Sequence, residues 1–120
     1  MISRKGLIRK ADSKFSKWVR ERGSRQGCNQ CVTCGRWLPI SDLDSGHYVS
    51  REYHSLCYDE RNVWPQCKSC NRFKEGRKDQ FALFLIRKFG PHILEELDQE
   101  RKKVKQWSEK DLIKLIEELK

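Results

Sequence analysis

The residues of this 120-residue chain best suited to chemistry are its cysteines and histidines. Four of the six cysteines form two Cys-x-x-Cys pairs, Cys31-Val-Thr-Cys34 and Cys67-Lys-Ser-Cys70, separated by residues 35–66. A two-residue gap lets one tight turn present both sulfurs, and four thiolates suit tetrahedral Zn²⁺. A closed tetrathiolate has no open coordination position, so the zinc expected here is structural and fixes whatever lies between its ligands. Cys28 also stands three residues before Cys31, which makes Cys28/Cys31 the alternative first pair. Gly35, free to take a positive φ after a second ligand, favours Cys31/Cys34. Cys57 has no partner at this spacing and reads as a plain cysteine.

Of three histidines, His47 and His54 fall inside the bracketed stretch and His92 outside it. His47 sits in Ser45-Gly46-His47-Tyr48-Val49-Ser50-Arg51, and Asn62 stands five residues before Cys67. Asn71 directly follows Cys70, and Lys74 lies three further on. An imidazole titrates near neutral pH, so His47 is a sensible general base, although a packed histidine or a zinc ligand is the alternative. Asn71 would lie at a helix N-terminus, where asparagine is also a good cap. Trp37, Tyr48, Tyr53 and Trp64 could stack on unpaired bases, or simply form the core of so small a domain.

These residues must be positioned by few elements. Leu7, Ile8, Ala11, Phe15, Trp18 and Val19 recur at three- and four-residue steps, which predicts an amphipathic helix over 5–22. Lys10, Lys14 and Lys17 lie on its outer face, and Gly23 is its stop. The weak alternation of 45–50 predicts a strand, and 63–70 a short strand running into a knuckle, with Pro65 confining it to an edge. Apolar positions including Phe73, Phe81, Leu85 and Phe89 predict a helix over 70–89, broken at Gly90-Pro91. A second helix is expected over 91–106, with Pro91 in its first turn. A third is expected over 109–119, opened by a Ser108/Asp111 capping box. Its stripe of Leu112, Ile113, Leu115, Ile116 and Leu119 is a packing scaffold or a dimer surface. The expected organisation is one compact unit: a basic helix over 1–26, a zinc-braced finger over 27–78 and a helical region over 79–120.

Composition limits the function classes. The formal net charge is +9, and residues 1–30 hold nine basic and two acidic side chains. A basic arm beside a near-neutral body suits a polyanion such as DNA. The longest apolar run, Phe81–Ile86, is far short of the ~20 residues that span a bilayer. The first residues carry no apolar signal segment, which points to a cytoplasmic protein, in a host cell if phage-encoded. Six cysteines in a reducing compartment favour metal over disulfides.

The run His47 … Asn62-x-x-x-x-Cys67-x-x-Cys70-Asn71-x-x-Lys74 resembles the HNH nucleases, whose finger is a β-hairpin plus a helix, often braced by two Cys-x-x-Cys knuckles. A longer match is similar to the phage NinG/Rap recombination endonucleases. It comprises Ala11-Asp-Ser-Lys-Phe-Ser-Lys-Trp-Val-Arg-Glu-Arg, Cys31-Val-Thr-Cys34-Gly35, Asp44-Ser-Gly-His47-Tyr48, Asp59-Glu-Arg-Asn62-Val and Gln66-Cys67-Lys-Ser-Cys70-Asn71. The resemblance implies an α+β, HNH-like (ββα-metal) fold and a metal-dependent DNA endonuclease acting on branched recombination intermediates such as D-loops and Holliday junctions. It implies His47 as general base, with Asn62 holding its loop in place. It also implies Asn71 as a ligand of a catalytic Mg²⁺ or Mn²⁺, and Lys10, Lys14, Lys17, Arg51 and Lys74 as DNA contacts. A homodimer would allow paired cuts. Many HNH fingers carry an Asp just before the first His, where this chain has Gly46; Asp44, two residues back, is the substitute ligand expected, with Asp59 and Glu60 as further candidates. The alternative class is a non-catalytic zinc-finger DNA-binding module.

Overall fold

Local sequence rules account for most of the elements in the computed structural model, which describes residues 2–119. Helix α1 spans Arg4–Glu21. Ser3 caps it, its Oγ accepting from Gly6 N at 3.1 Å. Leu7, Ala11, Phe15 and Val19 recur every fourth residue and are the positions α1 buries. At its far end Gly23 takes a φ of 72°, a left-handed stop that glycine adopts without steric cost. The buried Asn29 then donates from Nδ2 to the carbonyls of Arg20 and Arg22, satisfying acceptors that the helix leaves open.

Two small antiparallel sheets follow. Strands β1 (Cys28–Gln30) and β2 (Trp37–Pro39) form a three-residue hairpin around the first cysteine knuckle. Strand β3 (Leu43–His47) pairs with β4 (Val63–Cys67), with Ser45 opposite Pro65 and His47 opposite Val63. Pro65 donates nothing, but its carbonyl accepts from Val32 N at 3.0 Å and ties the two knuckles together. The second sheet is sandwiched. Val63 packs with Phe15 and Val19 of α1, and Trp64 packs with Leu56, Phe81, Leu85, Ile93 and Leu97.

The continuous helix expected over 70–89 is interrupted. Ser69–Phe73 forms a π-helical turn and Glu75–Arg77 a 3₁₀ turn, and α2 proper spans Lys78–Phe89. Glu75, Gly76 and Arg77 all have positive φ, so no helix can run through them. The kink presents the Gly76 carbonyl to the buried Gln66 amide at 2.9 Å. Helix α3 is shorter than expected, Ile93–Arg101, and Pro91 lies in the turn before it. Helix α4, Glu109–Glu118, carries the expected capping box at Ser108 and Asp111. Leu112 and Ile116 pack on Leu7 and Ala11, so the core of the C-terminal stripe meets α1 within the chain and is not left for a second copy. No helix among the described residues is long and apolar enough to cross a membrane.

Candidate functional site

The two knuckles meet as the cysteine spacing predicts. The sulfurs of Cys31, Cys34, Cys67 and Cys70 all lie within 4.8 Å of one another. Those of Cys34 and Cys67 stand 3.8 Å apart. Tetrahedral zinc with bonds of about 2.3 Å requires sulfurs about 3.8 Å apart, so this donor set fits such an ion. Burial pushes the Cys31 thiol up. The Thr33 hydroxyl and the backbone N–H groups of Cys67, Cys34 and Thr33 outweigh that and bring it down to about 6, towards the thiolate that a metal needs. Four such cysteines could hold a metal such as zinc. Cys28 lies in β1 opposite Pro39 and Cys57 in the loop after β3, neither of them in the cluster.

Between the two knuckles, Asn62 is completely buried and braces the loop that joins β3 to β4. Its Oδ1 accepts from Val49 N at 2.8 Å, and its Nδ2 donates to the carbonyls of Val49 and Leu56. Only a carboxamide offers an acceptor and two donors in one plane, which accounts for asparagine here. The loop it holds ends the strand at His47. There His47 Nε2 lies 3.0 Å from the Cys57 carbonyl. A carbonyl only accepts, so Nε2 carries a proton and, in the neutral ring, the Nδ1 lone pair is the free base. Burial lowers the His47 pKa below its ordinary 6.5, against the Cys57 carbonyl that raises it; Arg51 and Lys78 lower it further, and Asp12 raises it. The neutral ring therefore prevails at pH 7.

His47 lines a cleft of about 260 Å³ with Asp12, Ser16, Ser45, Arg51 and Tyr58. A larger cleft of about 560 Å³ shares Asp12, Arg51, Cys57 and Tyr58 with it and continues to Trp107. Asp12, from α1, accepts from Arg51 Nη2 at 2.9 Å and from Tyr58 Oη at 2.5 Å. Burial and this carboxylate both raise the Tyr58 pKa. Nothing in the sequence singles out Asp12 beyond its place in the α1 motif. Its position beside His47 depends on how α1 docks, and one of two acids in a basic helix carries no such signal.

Asp44 and Asn71 do come together, on the other face of β3. Asn71 Nδ2 donates to Asp44 Oδ2 at 3.0 Å, and Arg72 grips both Asp44 oxygens at 2.9 and 3.0 Å. Strand side chains alternate, so Asp44 and Gly46 share one face while Ser45 and His47 share the opposite one. Ser45 confirms the direction, its Oγ bonding to Ser16 of α1 at 3.1 Å. The expected convergence of His47 and Asn71 is thus not seen; no described hydrogen bond links them. In this arrangement Asp44 is neutralised by a guanidinium, and Asn71 turns an N–H towards it. Asp59 is likewise committed to Arg61, and Glu60 is exposed.

Gly46 itself has a local cause. A Cβ there would stand 1.9 Å from Gln66 Oε1. The space that a ligand side chain at residue 46 would need is filled by Gln66.

Among the expected DNA contacts, Lys10, Lys17 and Lys74 are exposed and Lys14 is half-buried beside Lys17 and Leu119. Arg51 is exposed but paired with Asp12. Of the aromatic residues, Trp64 is core, stacked under Arg22 at 3.5 Å, and Tyr48 packs on Phe81. Trp37 and Tyr53 keep 49% and 37% of their surface exposed.

The ninG protein of Salmonella phage P22 is 30% identical over 97 residues, covering 80% of this chain and 46% of that protein. Those of Escherichia phages 933W and lambda are 30% and 29% identical over 92 residues, covering 76% of this chain. The chain thus spans less than half the length of these curated relatives, and no solved structure matches it. Residues 1–120 match the family model described as the bacteriophage lambda NinG protein, and the chain belongs to the NinG family of lambdoid phage proteins.

Proposed function

We propose that this chain is a zinc-braced, metal-dependent DNA endonuclease with His47 as its general base, acting on branched recombination intermediates. The observation that carries the reading is the bond from His47 Nε2 to the Cys57 carbonyl, which leaves Nδ1 as the free nitrogen of a neutral imidazole, in a side chain that lines a cleft together with Arg51. Phosphodiester hydrolysis needs a base to take a proton from water and a positive group to meet negative charge developing on the phosphoryl oxygens. His47 would supply the first, and Arg51, which lines the same cleft in an ion pair with Asp12, the second. Asn62 holds the loop, and hence the ring, at the end of β3. Lys10 and Lys17 on α1, and Lys74 after the second knuckle, supply sequence-independent phosphate contacts. The zinc holds the hairpin and takes no part in the reaction. A divalent cation such as Mg²⁺ would add charge stabilisation at the leaving oxygen. The residues proposed to hold it, Asp44 and Asn71, do not fit it while Arg72 grips both Asp44 oxygens.

A second reading, a non-catalytic zinc-finger DNA-binding module, is favoured by one observation: His47 and the Asp44–Asn71 pair lie on opposite faces of β3. A nicking assay on a four-way junction and on linear duplex, with Mg²⁺ or with EDTA, separates the two. The endonuclease reading expects Mg²⁺-dependent cutting that His47→Ala abolishes while binding survives. Binding without cutting by the wild-type chain selects the module. Cutting by Asp44→Asn at the wild-type rate moves the cation elsewhere.

A further inference from the structure

Two large aromatic side chains lie exposed close to the cysteine knuckles, Trp37 at 49% and Phe73 far more so. Phe73 keeps 81% of its surface exposed, whereas the other four phenylalanines are buried or packed on aromatic neighbours. It ends the π-helical turn Ser69–Phe73, three residues after the ligand Cys70. That turn is stiffened from several sides. Cys70 N donates to Cys67 Sγ, Lys74 N donates to Ser69 O, and Asn71 and Arg72 are both fastened to Asp44. Phe73 therefore projects from a held backbone, not from a loose tail. Cations outnumber acids around it: Arg72 and Lys74 flank it, both exposed, and Lys68 opens the same turn, against Glu75 two residues on and the Asp44 to which Arg72 is paired. A single aromatic ring with lysines on both sides does not suit an apolar protein groove. It suits a nucleic acid, whose phosphates meet the cations while an unstacked base meets the ring.

We infer that Phe73 is a base-stacking wedge that selects DNA with an unpaired or unstacked nucleotide over continuous duplex. This rests on the proposed function and names its substrate class. A base already free of its neighbours stacks on the ring at little cost, whereas in linear duplex a base step must first be opened. The preference for branched DNA then lies in this ring, apart from the residues that do chemistry.

The test measures equilibrium binding, without divalent cation, to a duplex carrying a three-nucleotide bulge and to the same duplex fully paired. Stacking on an aromatic side chain is worth about 5- to 150-fold in affinity per base. Phe73→Ala should lower the bulge-to-duplex affinity ratio by about tenfold, near the low end of that range, and Phe73→Trp should restore it. A 2-aminopurine placed in the bulge should be quenched by the wild-type chain and not by Phe73→Ala. An unchanged ratio overturns the inference, as does a change in sedimentation between wild type and Phe73→Ala, which would make the ring a contact between copies. Wild-type chain that binds the bulge through Phe73 yet cuts no DNA sinks the nuclease reading alone. Cutting that is equally selective in Phe73→Ala sinks the wedge alone.

Discussion

Gly46→Ala adds one methyl group, and the structure fixes what that group meets. Its Cβ would stand 1.9 Å from Gln66 Oε1, 2.6 Å from Cδ and 2.8 Å from Cγ. Gly46 does not have a positive φ, so alanine carries no backbone strain there. On backbone grounds alone the change would stabilise by about 0.4–1 kcal/mol, through the unfolded chain. The clash reverses that sign. Gln66 is fully buried and donates to Thr33 Oγ1 and the Gly76 carbonyl. Moving it forfeits two hydrogen bonds at about 1 kcal/mol each. The overfilled space costs a further ~1–3 kcal/mol. A net loss of about 2–4 kcal/mol follows, readable by urea unfolding of the zinc-loaded protein through Trp fluorescence. Gln66→Ala removes Cγ, Cδ and Oε1 together, so in the double variant the added methyl should cost almost nothing. The coupling between the two positions should be about 2–4 kcal/mol. A neutral or stabilising Gly46→Ala with Gln66 intact would refute the argument. So would strict additivity of the two changes. The same geometry predicts that Gly46→Asp cannot install a metal ligand by itself.

Three further outcomes are expected. Burial holds the His47 pKa below 6.5, so a rate limited by the neutral ring should rise with pH on a limb centred below 6.5 and be flat through pH 7, which a pH–rate profile reads; a limb at or above 6.5 contradicts it. Zinc content measured by mass spectrometry should be one per chain. It should be lost in Cys31→Ser, Cys34→Ser, Cys67→Ser and Cys70→Ser and kept in Cys28→Ser and Cys57→Ser, with the melting temperature falling only in the first four. Replacing Lys10 and Lys17 by Ala should lower the slope of log affinity against log salt by up to ~0.9 for each phosphate no longer neutralised, and an unaltered slope would show that α1 does not meet the DNA.

What is legible in the sequence is what local rules control. The four-residue rhythm of Leu7, Ala11, Phe15 and Val19 places α1 to within a residue at each end, because burial of one stripe decides a helix. Ser108 and Asp111 mark α4 because capping is chemistry within one turn. The paired cysteines find their cluster across the chain because two-residue spacing leaves few other uses. The break after Phe73 is harder to read: Gly76 lies in view, but its positive φ serves a hydrogen bond from Gln66, ten residues away. The hairpin β1–β2 has strands of three residues, too short for alternation to show. In the site, the residue types are legible and their facing is not. Whether His47 and Asn71 share a face depends on strand register and on the turn after Cys70, neither of which spacing determines. Asp12 enters the His47 cleft only through the docking of α1.

The packing of α1 against α4 also has a consequence in time. A ribosome adding about 5–20 residues per second makes Leu112 roughly 5–20 s after Leu7. For that interval the side of Leu7 and Ala11 that Leu112 and Ile116 cover stays open, since those two residues do not yet exist. The nascent helix would expose an apolar stripe while synthesis continues. The exposed Lys10 and Lys17 of the same helix leave that stripe beside a charged face in the meantime.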